Sequence, residues 1–362
     1  HAGGGLPRPP VFPLGGKLMQ ATLRRATGLA LLLLVTASSA LGASNTSVGE
    51  IALRTDLVIG DAEDEMVGLI TAATEDSKGN IYLADVGFQY VQKYDAAGKY
   101  VSSFGTIGEG PGTLMFPFVM AIDHKDRLYF AGVTGRVSIW DTEGKFQREF
   151  RRLHPDGTVR SIRVGRDGKI YLAVTDILEQ TTIDSYDSSG KHLVSFGQSF
   201  AVGKDVDTRV EGFYAGGYLD ISDQGNVAYT QQAPYLIELF DSDGMSLKKT
   251  SAGGADFVPF PSLPDANQAS YSVSMESLSL EITSLSGDRW LNCAHRYEGG
   301  DAETLLTLYD KDLNLIARST VPKALTVVGV DSRDRLFIFT NEGDAPLLSR
   351  ASIEVLSTPD SR

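Results

Sequence analysis

Asp76-Ser-Lys-Gly-Asn-Ile-Tyr82 is a polar turn running into an apolar strand, and Tyr94-Asp-Ala-Ala-Gly98 is an aromatic strand end followed by a second turn. Glycine supplies positive φ and aspartate binds its own backbone to start the bend, so each stretch reads as a hairpin between β-patterned runs. The first pattern returns at Asp123-His-Lys-Asp-Arg-Leu-Tyr129, Gly165-Arg-Asp-Gly-Lys-Ile-Tyr171 and Ser222-Asp-Gln-Gly-Asn-Val-Ala-Tyr229. Ser286-Gly-Asp-Arg-Trp290 and Asp331-Ser-Arg-Asp-Arg-Leu-Phe337 complete the series. The second returns at Trp140-Asp-Thr-Glu-Gly144, Tyr186-Asp-Ser-Ser-Gly190 and Phe240-Asp-Ser-Asp-Gly244, with a variant Tyr309-Asp-Lys-Asp-Leu313. Two hairpins per repeat make four strands, and the spacing is that of a propeller blade with variable loops, about 40–50 residues. The sequence therefore predicts an all-β, six-bladed β-propeller of four-stranded antiparallel blades.

The sixth repeat runs out before an outer strand. Glu50-Ile-Ala-Leu-Arg-Thr-Asp-Leu-Val-Ile-Gly60, ahead of the first repeat, has strand character and is expected to supply it by pairing with the strand around Ile353 to Leu356, closing the ring and covering an open edge.

The segment Gly105-Thr-Ile-Gly-Glu-Gly-Pro-Gly112, with Pro117, Ala121-Ile-Asp123, Leu128-Tyr129 and Arg136-Val-Ser-Ile-Trp-Asp-Thr-Glu-Gly-Lys145, resembles the NHL repeat. The likeness covers repeats one to three and fades from Gly254 onward, and the six units resemble exported bacterial six-bladed propellers with NHL-like repeats. That resemblance implies a six-bladed propeller and a binding role. It implies no activity, because the motif residues are turn formers and packing aromatics.

The 362 residues carry 46 acidic against 33 basic side chains, a net charge of -13, and no basic cluster, which argues against nucleic acid as a partner. Residues 1–18 read as an upstream segment outside the fold. Residues 19–43 read as a secretory signal peptide: basic Arg24-Arg25, an apolar run of about 15 residues that is too short to span a bilayer, then small residues up to Ala43. The expected product is an exported, periplasmic or extracellular protein, a monomer with no membrane insertion after cleavage, comprising a propeller over 44–358 and a tail at 359–362. The single Cys293 excludes an intrachain disulfide.

In a propeller, the first-to-second and third-to-fourth strand turns share one face, and the remaining connections share the other. The first set is tight here. The long segments Gly105 to Pro117, Gly197 to Gly217, Ser251 to Leu278, Thr175 to Thr181 and Tyr297 to Thr304 all fall on the second face, where binding residues are expected. Aromatic and cationic candidates there are Phe88, Tyr90, Phe116, Arg136, Arg209, Tyr214, Tyr235, Tyr271, Arg296 and Tyr297. Along the innermost strands the position facing the central axis or the neighbouring blade reads Thr74, Ala121, Arg163, Asp220, Glu281 and Gly329. Arg163, Asp220 and Glu281 are expected to meet in a depression bordered by the long loops, as a ligand site or as an ion pair between blades.

The predicted ligand is a protein, peptide or glycan bound on the long-loop face without catalysis; the enzymatic alternative is a divalent-metal-dependent hydrolase or lyase. His124 and His192 fall in tight turns, leaving His154 and His295 for the other face, too few for a three-histidine zinc site. No cofactor is expected, with a calcium site at Asp220 and Glu281 as the remaining option. Cys293 and His295 share one face of a strand and could bind a metal, but buried packing accounts for them better. Nucleophile-elbow and phosphate-loop motifs are absent.

Overall fold

The computed structural model describes residues 48–60, 67–108, 110–114, 116, 119–175, 181–199, 216–233, 235–250, 277–298, 301–341 and 346–356. The segments 1–18, 19–43 and 359–362, together with Arg209, Tyr214 and Tyr271, lie outside them. Strands are the regular elements among the described residues, and they form six four-stranded sheets, each antiparallel from strand to strand.

Blade 1 comprises β2 (Ile70–Glu75), β3 (Ile81–Asp85), β4 (Tyr90–Tyr94) and β5 (Tyr100–Phe104); blade 2 comprises β6 (Val119–Ile122), β7 (Arg127–Ala131), β8 (Arg136–Asp141) and β9 (Phe146–Arg151). Blade 3 follows with β10 (Thr158–Val164), β11 (Ile170–Thr175), β12 (Thr181–Tyr186) and β13 (His192–Gln198), and blade 4 with β14 (Gly217–Ile221), β15 (Val227–Gln231), β16 (Leu236–Phe240) and β17 (Ser246–Thr250). Blade 5 has β18 (Ser277–Leu285), β19 (Arg289–Glu298), β20 (Asp301–Tyr309) and β21 (Leu315–Val321). Blade 6 has β22 (Thr326–Val330), β23 (Leu336–Thr340), β24 (Leu347–Leu356) and, as its outer strand, β1 (Glu50–Ile59). The innermost strands touch in a closed cycle, β2 to β6, β10, β14, β18, β22 and back to β2.

The turns work as the sequence predicts. Asp76 Oδ1 accepts the amides of Lys78 and Asn80 at 2.9 Å each, and Gly79 stands at φ 85°. Where the repeat lacks glycine, Asp126 and Asp334 take the left-handed conformation at φ 56° and 62°, as aspartate tolerates better than most residues. The second-motif glycines carry a further constraint. A Cβ on Gly144 would run into the ring of Phe104, and one on Gly190 into that of Phe150, because the outer strands of blades 1 and 2 lay an aromatic ring on the next blade's turn.

On Gly98 of blade 1 the same place is taken by Leu57 of β1, whose Cδ1 would lie 2.6 Å from a Cβ added to the glycine. The N-terminal strand thus performs for blade 1 what Phe104 performs for blade 2. Its pairing runs from Glu50 opposite Leu356 to Ile59 opposite Leu348, with a bulge between Thr55 and Leu57. Asp56, at the bulge, accepts from Arg335 Nη1 at 2.7 Å and Arg350 Nε at 3.0 Å. The core consists of apolar clusters between adjacent blades, including one from Ile51 and Ala351 across to Leu291, Leu306 and Leu308.

Candidate functional site

Arg163 near the end of β10 donates from Nε to Asp220 Oδ1 of β14 at 2.8 Å, and its Nη2 lies 3.5 Å from Glu281 Oε1 of β18. A side chain of blade 3 that meets both the next blade and the one after it lies toward the axis, so the three predicted residues do come together. Their side chains are 22%, 10% and 12% exposed, reachable by solvent but little screened by it. Asp220 is saturated: besides Arg163 it accepts from the Ile221 amide at 2.8 Å, Thr283 Oγ1 at 3.0 Å and the Ser284 amide at 2.8 Å. Among the described residues, Glu281 receives the Ile282 amide at 3.2 Å and the long Arg163 contact. Burial pushes the Glu281 carboxyl up to about 8; the Arg163 charge partly opposes this and the Asp220 charge adds to it.

Two details differ from the sequence reading. The residue of β18 that matches Arg163 and Asp220 is Thr283, two positions before the residue that opens the turn; Glu281 lies one step further up the same strand face. The cluster also belongs to the other end of the strands. Arg163 stands two residues before the Gly165 turn, about 7 Å at strand rise, and Asp220 two before Ser222, whose amide bonds Asn226. The group therefore lies toward the tight-turn face, away from the long connections expected to border it. Tyr218 and Arg160 join it: their side chains are hydrogen-bonded, and burial raises the Tyr218 hydroxyl, opposed by the Arg160 charge and reinforced by that of Glu281. Neither residue stands out in the sequence, since both fall within strand patterns.

The loop-face candidates separate. Arg136 opens β8 and pairs with Glu149 at 3.1 Å in a cleft walled by Gly108, Gly110, Thr113, Gly132 and Thr134. Phe88 and Tyr90 stack with centroids 5.6 Å apart and planes within 7°. Tyr235 is a correction: it is buried in the core with Ile237, Ile282, Trp290 and Tyr309, its hydroxyl donating to Asn292. A side chain so enclosed offers no ligand contact. The expected loop from Tyr297 to Thr304 is instead an extension of the β19–β20 pair, which continues to Glu298 opposite Asp301. Arg296 pairs across it with Glu303, while Tyr297 remains exposed and approaches His295 Nδ1 through its hydroxyl at 3.3 Å.

For calcium, the pair of carboxylates fits poorly: Asp220 has no free acceptor geometry to spare, Arg163 stands between the two acids, and calcium takes six to eight oxygens. Cys293 and His295 both face the Leu325 carbonyl, at 3.7 Å and 2.8 Å; burial pushes the thiol up to about 12 and the imidazole down. Among the described residues no three His, Cys, Asp or Glu side chains form a metal-binding group, and no helix is long and apolar enough to cross a membrane.

The chain is a six-bladed β-propeller. Solved structures of similar fold include a member of the DUF4221 family from Bacteroides vulgatus, at 10% identity and TM-score 0.58 over 85% of this chain and 99% of that one. A Bacteroides fragilis protein described as exported matches at 12% identity and TM-score 0.55 over 85% and 96%. A gluconolactonase of Xanthomonas campestris matches at 14% identity and TM-score 0.51 over 84% and 91%. At such identities the likeness is one of fold. No family model matches the chain, and no curated protein matches its sequence.

Proposed function

We propose that this propeller is an exported, NHL-like binding protein that docks an apolar protein or peptide surface on its long-loop face, chiefly over blades 1 to 3. The observation carrying this reading is the company of exposed apolar side chains in the connections there: Leu69, Phe88, Ile107, Phe116, Val133 and Leu153. Val133 and Leu153 are 53% and 48% exposed. Apolar side chains gathered on one face of a fold that does not need them there are the usual mark of a contact surface. Their spread over three blades suits a macromolecular surface better than a small ligand, and the adjacent Arg136–Glu149 pair supplies a polar rim.

The test is selection from a random-peptide display library on the purified propeller, followed by binding of the enriched peptides to a Val133→Asp, Leu153→Asp double variant. Enriched peptides should carry apolar residues and lose at least about tenfold in affinity on the double variant, a change of about 1.4 kcal/mol. Peptides that bind the variant as well as the wild type would overturn the reading.

A further inference from the structure

The cleft beside Arg136 and Glu149 has a form that the exposed apolar side chains around it do not explain. A space of about 350 Å³, counting its open mouth, lies between the segment that follows β5 and the β7–β8 hairpin. Its floor is apolar and buried: Leu114, Phe130 and Ala131 are each 3% exposed or less. One wall is the turn Gly110-Pro111-Gly112-Thr113, pinned from within, since the Thr113 amide and Oγ1 both donate to the Gly110 carbonyl, at 3.2 Å and 2.6 Å. A Cβ added to Gly110 would meet no atom within 4 Å. Packing therefore does not demand the bare edge of this wall, and its effect is to keep the cleft open.

The charged part of the lining is one ion pair. Glu149 Oε1 receives Arg136 Nη1 at 3.1 Å, and among the described residues no other donor reaches that carboxylate. The two side chains are 38% and 23% exposed, so the pair offers donors and an acceptor side by side to whatever enters, with no net charge of its own. An anion placed there meets Glu149, a cation meets Arg136, and an apolar group strips water from both without replacing its hydrogen bonds. The group that satisfies the pair is neutral and carries N–H and C=O on one edge. A trans peptide bond does not, because its N–H and C=O point opposite ways. A primary carboxamide does.

We propose that this cleft is a subsite for a primary carboxamide, the side chain of an asparagine or glutamine on the peptide docked over blades 1 to 3. The amide oxygen accepts from Arg136, the amide nitrogen donates to Glu149, and the methylenes of the side chain lie on the apolar floor. Gly110 leaves the entry clear. The subsite rests on the loop-face reading for the ligand that carries the carboxamide, but its test uses neither the residues nor the peptides of that reading.

The experiment is a titration of the full propeller with N-acetyl-glutamine N-methylamide, read by NMR at the Gly108 and Gly110 amides. Glutamate, lysine and leucine capped in the same way are the comparison probes. The glutamine probe should shift the signals saturably and bind at least about tenfold more tightly than each of the others. Gly110→Val, which fills the entry without meeting another group, and Glu149→Ala, which removes the acceptor, should each weaken it at least about tenfold. The subsite is overturned if the wild type shows no saturable shift, if another capped residue binds as tightly as glutamine, or if the glutamine probe binds Gly110→Val as well as the wild type. Any of these results leaves the loop-face reading standing, since that face is tested through Val133 and Leu153 with selected peptides; failure of those peptides leaves the capped glutamine measurement unaffected.

Discussion

The two faces of the disc are made from the same strands and carry opposite surfaces. On the tight-turn face the chain bends through aspartates whose carboxylates are consumed by their own turns, as Asp123 is by the amides of Lys125 and Arg127 and by the Tyr129 hydroxyl. Neighbouring turns are tied side to side, Ser77 to Asp126, Arg166 to Asp223 and Ser286 to Asp334. Among the described residues of those turns, Met245 is the one large apolar side chain that stands exposed. The other face carries Leu69, Phe88, Ile107, Val133 and Leu153 in the open. Turn geometry dictates residue type where the connection is short. Leu69, Ile107 and Leu153 stand in longer connections that impose no such turn chemistry, and Phe88 and Val133 stand exposed in connections as short as the tight turns.

The contrast can be broken most completely by opening the ring. Deleting residues 44–60 removes β1, the Asp56 bridges and the Leu57 cover on Gly98, and is expected to abolish cooperative thermal unfolding measured by circular dichroism. A variant that melts as the full chain does would deny that closure supports both faces.

Next in size is Asp220→Ala, which strands Arg163 without its main partner and should cost about 3 kcal/mol or more in denaturant titration. Asp123→Ala unties one turn and should cost about 2 kcal/mol. Burial raises the Asp123 carboxyl, but the bonds from Arg127 and Lys125 outweigh it and hold it below the usual range. Its contribution is therefore present above about pH 4 and is lost as the pH falls through its folded value.

Glu281 titrates with the reverse sign. Its carboxyl is raised in the fold, so its contribution is complete below the ordinary glutamate range and is lost as pH rises through about 8. Melting temperature should decline between about pH 5 and pH 8 in the wild type, and Glu281→Gln should remove that decline. The smallest effect belongs to the loop face: Val133→Ser should change stability by less than about 0.5 kcal/mol. A large loss there would make Val133 a packing residue and remove it from the contact surface.

The turn grammar makes the blade count, the strand pairing and the closing strand legible, because each depends on local residue types that a short window contains. The position of the axial cluster is not legible in that way. Ser286-Gly-Asp-Arg-Trp290 lacks the aspartate that opens the turns of blades 1, 2 and 6, and aligning its Trp290 with Tyr229 of blade 4 puts Glu281 in the place that Thr283 occupies. Face assignment fails for the same three residues because their distance from the turn, rather than the length of the nearest loop, decides which end of the axis they occupy. Tyr235 precedes a strand in a polar setting and reads as exposed; only the packing of blade 4 on blade 5 shows that its ring is enclosed.

The pairing of β1 with β24 joins residues about as far apart in sequence as the fold permits, Arg54 with Glu354 among them, 300 positions apart. The entropy of closing so long a loop is modest, since each doubling of length adds only about 0.6 kcal/mol. The timing is another matter. A ribosome releases β1 first among the strands and β24 last, so the ring cannot lock until β24 has emerged, and β1 must wait that long for its partner. A protein built this way remains threadable for as long as it is being made.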